Sequence, residues 1–209
     1  MNSREWYAGH REDFRRLVFE PMAELVCALA PTVNGIDPLI VTEPKTDRTI
    51  SRVYRDTRYS RDKLLYREEM WISLKRDKRR FPQFPEFFFA FGPYGFSVGC
   101  GCYEMKPESL EALRRLILMR DPVFLAAFGS FCSQDRFALW GQKYKRTRYP
   151  DQPEDVRDWL DRKSLSLVRE SKDAALLFSE GLAQSLADDI RMLAPMYRLL
   201  LLAEGEVLE

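Results

Sequence analysis

Apolar residues at Trp6, His10, Phe14, Leu17, Val18, Leu25 and Leu29 recur at the three-to-four spacing that predicts a helix over the N-terminal segment. Asn2, three residues before Glu5, makes a capping box for it. Pro21 is expected to kink or split this helix, because its ring meets the carbonyl four residues back, and Pro31 and Gly35 should end it. A short strand is predicted over 39–42. From Met70 the period changes to two: Met70, Ile72 and Leu74 alternate with Trp71, Ser73 and Lys75, a half-buried strand. The run PEFFFAFGPYGFSVGCGCYEM predicts a hairpin that turns at Gly92-Pro93-Tyr94-Gly95. Helical spacing returns over 107–119 (Leu110, Leu113, Leu116, Ile117) and 123–131. A strand over 137–144, a short helix over 155–162, an edge strand over 164–168 and a helix over 173–202, broken near Pro195, complete the pattern. Strands cluster in the middle and helices flank them. The expectation is an α+β fold, a central antiparallel meander with N-terminal and C-terminal helices around it, in a single domain over 1–209.

Composition adds a solvent and a charge. With 45% hydrophobic and 31% charged residues the chain reads as globular, and 209 residues suffice for a core. No apolar run approaches the ~18 residues of a membrane span, and the opening MNSREWYAGHRED lacks the apolar centre of a signal peptide. The four cysteines form no dense framework, so the cytoplasm is the expected compartment, with no membrane partner and no cofactor. The net charge of +1 argues against bulk nucleic acid as the main partner. It hides a local asymmetry, however. Residues 45–80 hold 13 basic and 6 acidic residues, a net of +7, and the remainder carries −6.

Several familiar chemistries are disfavoured. His10 is the only histidine and lies in a helical pattern, which removes most His-based triads and metal sites. Cys100 and Cys102 share a strand face, but C-x-C without C-x-x-C is a poor zinc signature, and core packing is the better reading. Gly99 and Gly101 lack the third glycine and the strand-to-helix turn of a dinucleotide fingerprint. Ser60-x-x-Lys63 matches a serine acyl-transfer pattern whose supporting elements are absent.

What remains is RVYRDTRYSRDKLLYR, residues 52–67. Arginine forks grip phosphate or carboxylate with paired hydrogen bonds and stay charged at any working pH. At a spacing of three, Arg52, Arg55, Arg58 and Arg61 cannot share one helix or strand face, so convergence needs a turn near Asp56-Thr57 or a helix cap at Ser60. The leading expectation is a cleft for a small phosphate- or carboxylate-bearing ligand. It is bordered by Arg52, Arg55, Asp56, Arg58, Asp62, Lys63 and Tyr66, with Lys145, Arg146 and Lys163 on its opposite wall. Asp56 or Asp62 is the general base if there is catalysis, although an arginine-locked aspartate is a weak base. Two other readings stay open. The same residues form a structural ion-pair network, or the strip is an interaction module for nucleic acid or an acidic protein, with Tyr54, Tyr59 and Tyr66 as stacking residues.

ISRVYRDTRYSRDK resembles the signature of the domain-of-unknown-function 2461 family of bacterial and fungal proteins, whose pattern runs close to R-I-Y-R-D-T-R-F-S-K-D-K. NSREWYAGHREDF is similar to that family's opening Asn-x-Arg-x-Trp-Phe helix, with Tyr7 at the Phe position. FFFAFGPYGFSVGCGCYEMKPESLEALRRLI resembles its hairpin and following helix, and PMYRLLL its C-terminal helix. Two departures stand out: Leu65-Tyr66-Arg67 replaces the commoner Pro-Tyr-Lys, and Arg146-Thr147-Arg148 stands where many members carry Pro-Lys-Gly. Members usually have a little more helix before the opening motif, so the natural chain is expected to start before Met1. The resemblance implies an α+β fold and a soluble bacterial protein, and brings no activity.

Overall fold

The computed structural model describes residues 3–56, 58 and 64–208. The N-terminal segment is helical in four consecutive pieces: α1 (Arg4–Gly9), α2 (Arg11–Phe14), one π-helical turn (Arg15–Phe19) and α3 (Glu20–Ile36). Asn2 lies outside the described residues. The cap is Ser3, whose Oγ accepts from the Trp6 N–H. Pro21 splits the α-helical register without ending the helical run. It falls in the first turn of α3, directly after the π turn, where a wider register replaces the hydrogen bond that proline cannot make. The helix also runs through Pro31 and past Gly35 to Ile36, held by the buried face Met22, Val26, Leu29 and Val33. The helical run Arg11–Ile36 is long and apolar enough to cross a membrane by length and composition, which the apolar runs in the sequence alone did not suggest. Here that buried face packs against a long C-terminal helix.

The sheet has five antiparallel strands: β1 (Met70–Leu74), β2 (Glu86–Gly92), β3 (Gly95–Gly101), β4 (Ala138–Trp140) and β5 (Ser166–Ser171), in the order β1-β2-β3-β5-β4. Period-two alternation survives intact in β1, where Met70, Ile72 and Leu74 are buried and Trp71 and Ser73 half-buried. The β2–β3 hairpin turns over Pro93-Tyr94, with Gly92 opposite Gly95. Gly95 has φ +133°, and a Cβ there would collide with the Ser171 carbonyl on β5, so the position admits only glycine. β5 is an interior strand between β3 and β4, not the expected edge. The strand expected over 137–144 shrinks to three residues and an isolated bridge from Lys143 to Arg162. The strand expected over 39–42 is likewise one bridge, Ile40 to Arg76.

Four helices connect and cover the sheet: α4 (Pro107–Leu118), α5 (Pro122–Cys132), α6 (Glu154–Leu160) and α7 (Ala174–Leu177). A fifth, α8 (Leu182–Ala203), crosses the sheet beside β3 and contacts α3, α4 and α5. α8 passes through Pro195 unbroken, and the interruption falls at 178–181 instead. Twelve buried side chains outweigh the one lost hydrogen bond. Cys100 on β3 and Cys102 just after it are buried thiols, and burial pushes both pKa values upward. They are core residues.

Beneath the sheet end lies a buried polar node. Asp37, the C-cap of α3, is fully buried and accepts from Arg76 Nε (2.7 Å), Tyr197 Oη (2.6 Å) and the Leu39 N–H (3.0 Å). Arg76 also reaches Glu206 (3.1 Å) and stacks over Phe81 and Phe84. The node joins the ends of α3, β1 and α8.

Candidate functional site

Residues 49–55 and 65–73 pair as a two-stranded ribbon on the edge of β1. Ser51 N–H donates to the Trp71 carbonyl (2.9 Å) and Ser73 N–H to that of Thr49 (2.8 Å). Further out, Arg55 N–H donates to the Leu65 carbonyl (2.8 Å) and Arg67 N–H to that of Val53 (2.9 Å), with Tyr54 opposite Tyr66. Residues 49–55 therefore lie along the free edge of β1 and of the residues that lead into it. Thr57, Tyr59, Ser60, Arg61, Asp62 and Lys63 lie outside the described residues, and with them the expected Ser60 cap and the Asp62 and Lys63 roles.

A cleft of about 640 Å³ opens along this ribbon. Arg52, Arg55, Asp56 and Arg58 line it. So do Arg67, at the end of the same motif, and Asp47, Arg48, Trp71, Ser73, Lys75 and Lys78, which lie outside it. A signal for part of this set was present. The alternation that buries Met70, Ile72 and Leu74 puts Trp71, Ser73 and Lys75 together on the other face of β1.

The cations are oriented by carboxylates. Arg58 grips Asp56 with Nε (3.0 Å) and Nη2 (2.7 Å), and its own N–H donates to the same carboxylate (3.1 Å). Arg52 pairs with Asp47, Arg48 with Glu43 (3.2 Å) and Lys75 with Glu86 (2.7 Å). Arg67 donates to the Tyr54 carbonyl (3.2 Å) and lies over the Trp71 ring at 4.5 Å. The side chains of Arg52 and Arg58 are 62% and 76% exposed, so their ion pairs contribute little to folding.

The hydrogen bonds from the Arg58 side chain, then from its backbone N–H, hold the Asp56 carboxyl down at about 2. Such a group is ionised throughout the physiological range and is a poor proton acceptor. A carbon-detected NMR titration of Asp56 should give a midpoint near 2, and Arg58→Ala should return it toward 3.8. An unchanged midpoint in the variant would mean that another group holds the proton off.

Tyr66 does not line the cleft. It is buried, stacked on Tyr7 of α1 (4.8 Å between centroids) and tilted against Tyr54 (5.2 Å), so it clamps the ribbon to the N-terminal helix. Lys145, Arg146 and Lys163 do not form an opposite wall either. They belong to the β4 side, and β4 is the far strand from β1. There Lys163 Nζ (5.4 Å), Arg114 (5.3 Å) and Arg148 (4.0 Å) surround the Tyr144 ring. A hydrogen bond from Arg114 lowers the pKa of the Tyr144 phenol. Among the described residues no group of three or more His, Cys, Asp or Glu is placed to hold a metal ion.

The chain belongs to the family described as conserved hypothetical protein (DUF2461), whose model matches residues 1–199. No curated protein matches it.

Proposed function

We propose that the cleft on the β1 ribbon binds a small ligand bearing phosphate or carboxylate. One observation carries the reading. Among the described residues, seven cationic side chains from separate stretches of chain (Arg48, Arg52, Arg55, Arg58, Arg67, Lys75, Lys78) line one cleft with two carboxylates, on a protein whose net charge is +1. Exposed cations gathered in a concave site create a field that concentrates anions. Because Asp47 and Asp56 pin the forks of Arg52 and Arg58, those side chains are pre-oriented for an acceptor. The arrangement supports binding, and Asp56 as a base is weakened by its ion pair.

Thermal denaturation against phosphorylated and carboxylated metabolites tests this. A ligand at 100 times its dissociation constant adds ~2.7 kcal/mol, which raises Tm by about 5–10 °C at this size. Arg52→Ala should melt within about 2 °C of the wild type without ligand, since its ion pair is exposed. It should also lose most of the ligand-induced shift. A panel in which no anion moves the wild type would end the proposal.

The exposed Tyr54 beside these cations favours, as a second reading, an interaction strip for single-stranded nucleic acid. That reading requires oligonucleotide binding that falls steeply as salt is added.

A further inference from the structure

We infer that the apolar groove between the N-terminal helical run and the α7–α8 corner is the docking site of a basic amphipathic helix from a protein partner. The inference is independent of the anion cleft, with which the groove shares only Arg67 among its lining residues.

The groove consists of two adjoining hollows, of about 400 and about 430 Å³, that have Leu17, Val18 and Phe91 in common. One extends past Phe14 to Trp6, the other along α3 to Ala28 and across to Phe178 and Leu182. From Phe14 to Ala28 the helical run rises ~21 Å, the length of about four helical turns. The fold leaves much of this apolar wall uncovered. Leu17 is 62% exposed and Phe178 85%, and the most apolar part of the Arg11–Ile36 run is only 28% buried. A continuous exposed apolar surface with a polar rim marks an interaction site.

Charge decides between occupants. Glu24 and Glu180 line one hollow and Glu68 the other, all three exposed, and among the described residues none of them has an ion-pair partner. Arg67 is the one Lys or Arg among the described lining residues, and its guanidinium is turned onto Trp71, on the opposite face of β1 from Met70. Unpaired carboxylates on an apolar groove complement an occupant with an apolar stripe flanked by Lys or Arg. They repel an anionic membrane surface. A second copy docked groove to groove would set the same carboxylates against each other.

Backbone pairing decides between conformations. Phe89 and Phe91 reach the groove from β2, which is paired on both sides, by β1 and β3. An extended peptide would find no unpaired edge there for its N–H and C=O groups, whereas a helix satisfies its own.

The test is fluorescence anisotropy of labelled peptides of about 14 residues titrated with the full chain: an idealised Leu/Lys amphipathic helix, a scramble of the same composition without an apolar face, and a Leu/Glu counterpart. The Leu/Lys helix should bind about tenfold or more tighter than either of the others. Phe178→Ala should weaken it by about fivefold or more, whereas Tyr103→Ala, at a residue 80% exposed that lines neither hollow, should leave it unchanged. Glu24→Lys should weaken the Leu/Lys helix by about threefold or more and tighten the Leu/Glu helix. All three are surface substitutions and should melt within about 2 °C of the wild type, which separates lost docking from lost folding. Equal binding of the scramble, or Leu/Lys binding that neither Phe178→Ala nor Glu24→Lys moves, would overturn the proposal. Binding to phosphatidylglycerol-containing vesicles in place of the Leu/Lys helix would overturn it in favour of a membrane surface. A dimer in sedimentation that Phe178→Ala dissociates would overturn it in favour of a second copy.

Discussion

Replacing Asp37 with alanine is expected to lower stability by ~3–5 kcal/mol, the usual consequence of leaving a buried partner charge uncompensated. Arg76 is 2% exposed and would keep only the half-exposed Glu206 as a carboxylate partner, while the buried Tyr197 hydroxyl would lose its acceptor. For a chain of this length that predicts a drop in Tm of roughly 6–20 °C. The contrast with Arg52→Ala is informative: both variants break an Arg–Asp pair, but only the buried one should matter to folding. Acid adds a second handle. Burial pushes the Asp37 carboxyl up, but the donors from Arg76, Tyr197 and Leu39 together outweigh it and hold the pKa below 3.8. A carboxylate depressed in the folded state adds stability that is complete above its unfolded pKa and is lost as pH falls through the folded one. The node should therefore be at full strength at neutral pH and fade below about pH 4. Tyr197→Phe removes one donor and should move that acid limb to higher pH. Urea unfolding at pH 7 and pH 3 reads both effects, and a stability of Asp37→Ala within ~1 kcal/mol of wild type would show that the node is not needed to hold the helix and strand ends together.

Trp159→Ala should cost a similar ~3–5 kcal/mol through a different mechanism, the opening of a cavity. The ring is 2% exposed and meets Phe124, Phe128 and Phe131 edge-on at 5.8, 5.9 and 5.6 Å, so α6 is bound to α5 through a single aromatic cluster. Edge-to-face pairs of this kind add ~0.5–1.5 kcal/mol each beyond their buried area. α6 also carries the Leu160 carbonyl that Arg114 caps (3.3 Å), and the residues after it hold Lys163 beside Tyr144. The variant should therefore raise the Tyr144 phenol pKa as the Arg114 contact loosens, which a UV titration of tyrosinate would record. A Tyr144 pKa that stays lowered in a destabilised Trp159→Ala would mean that the two clusters move independently. Neither cluster lines the β1 cleft, so an anion that raises the Tm of the wild type by binding there should raise that of Trp159→Ala by the same increment.

Much of the fold was readable from local rules. Alternation at 70–74 and glycine at the 92–95 turn depend on nearest neighbours and pleat geometry, and both the meander and the flanking helices follow from them. The helices run on through Pro31 and Pro195 for one reason. A proline costs one hydrogen bond locally, but whether a helix survives depends on the burial of its other residues, which is a property of the packed molecule.

The candidate site divides along the same line. Charge density over 45–80, the abundance of arginine forks and the weakness of an arginine-bound aspartate as a base were settled by residue type alone. Which cations face one another was not. Pairing of residues 49–55 with 65–73 brings Arg52 and Arg58 to Arg67 and Lys75, and the strand order β1-β2-β3-β5-β4 sends Lys163 to the opposite edge. Tyr54 and Tyr66 interleave with arginines in the chain, yet one reaches the cleft and the other is buried against Tyr7. Local chemistry is carried by each residue wherever it goes. Convergence is decided by long-range hydrogen-bond register and by the burial that fixes it, and only the tertiary structure contains those.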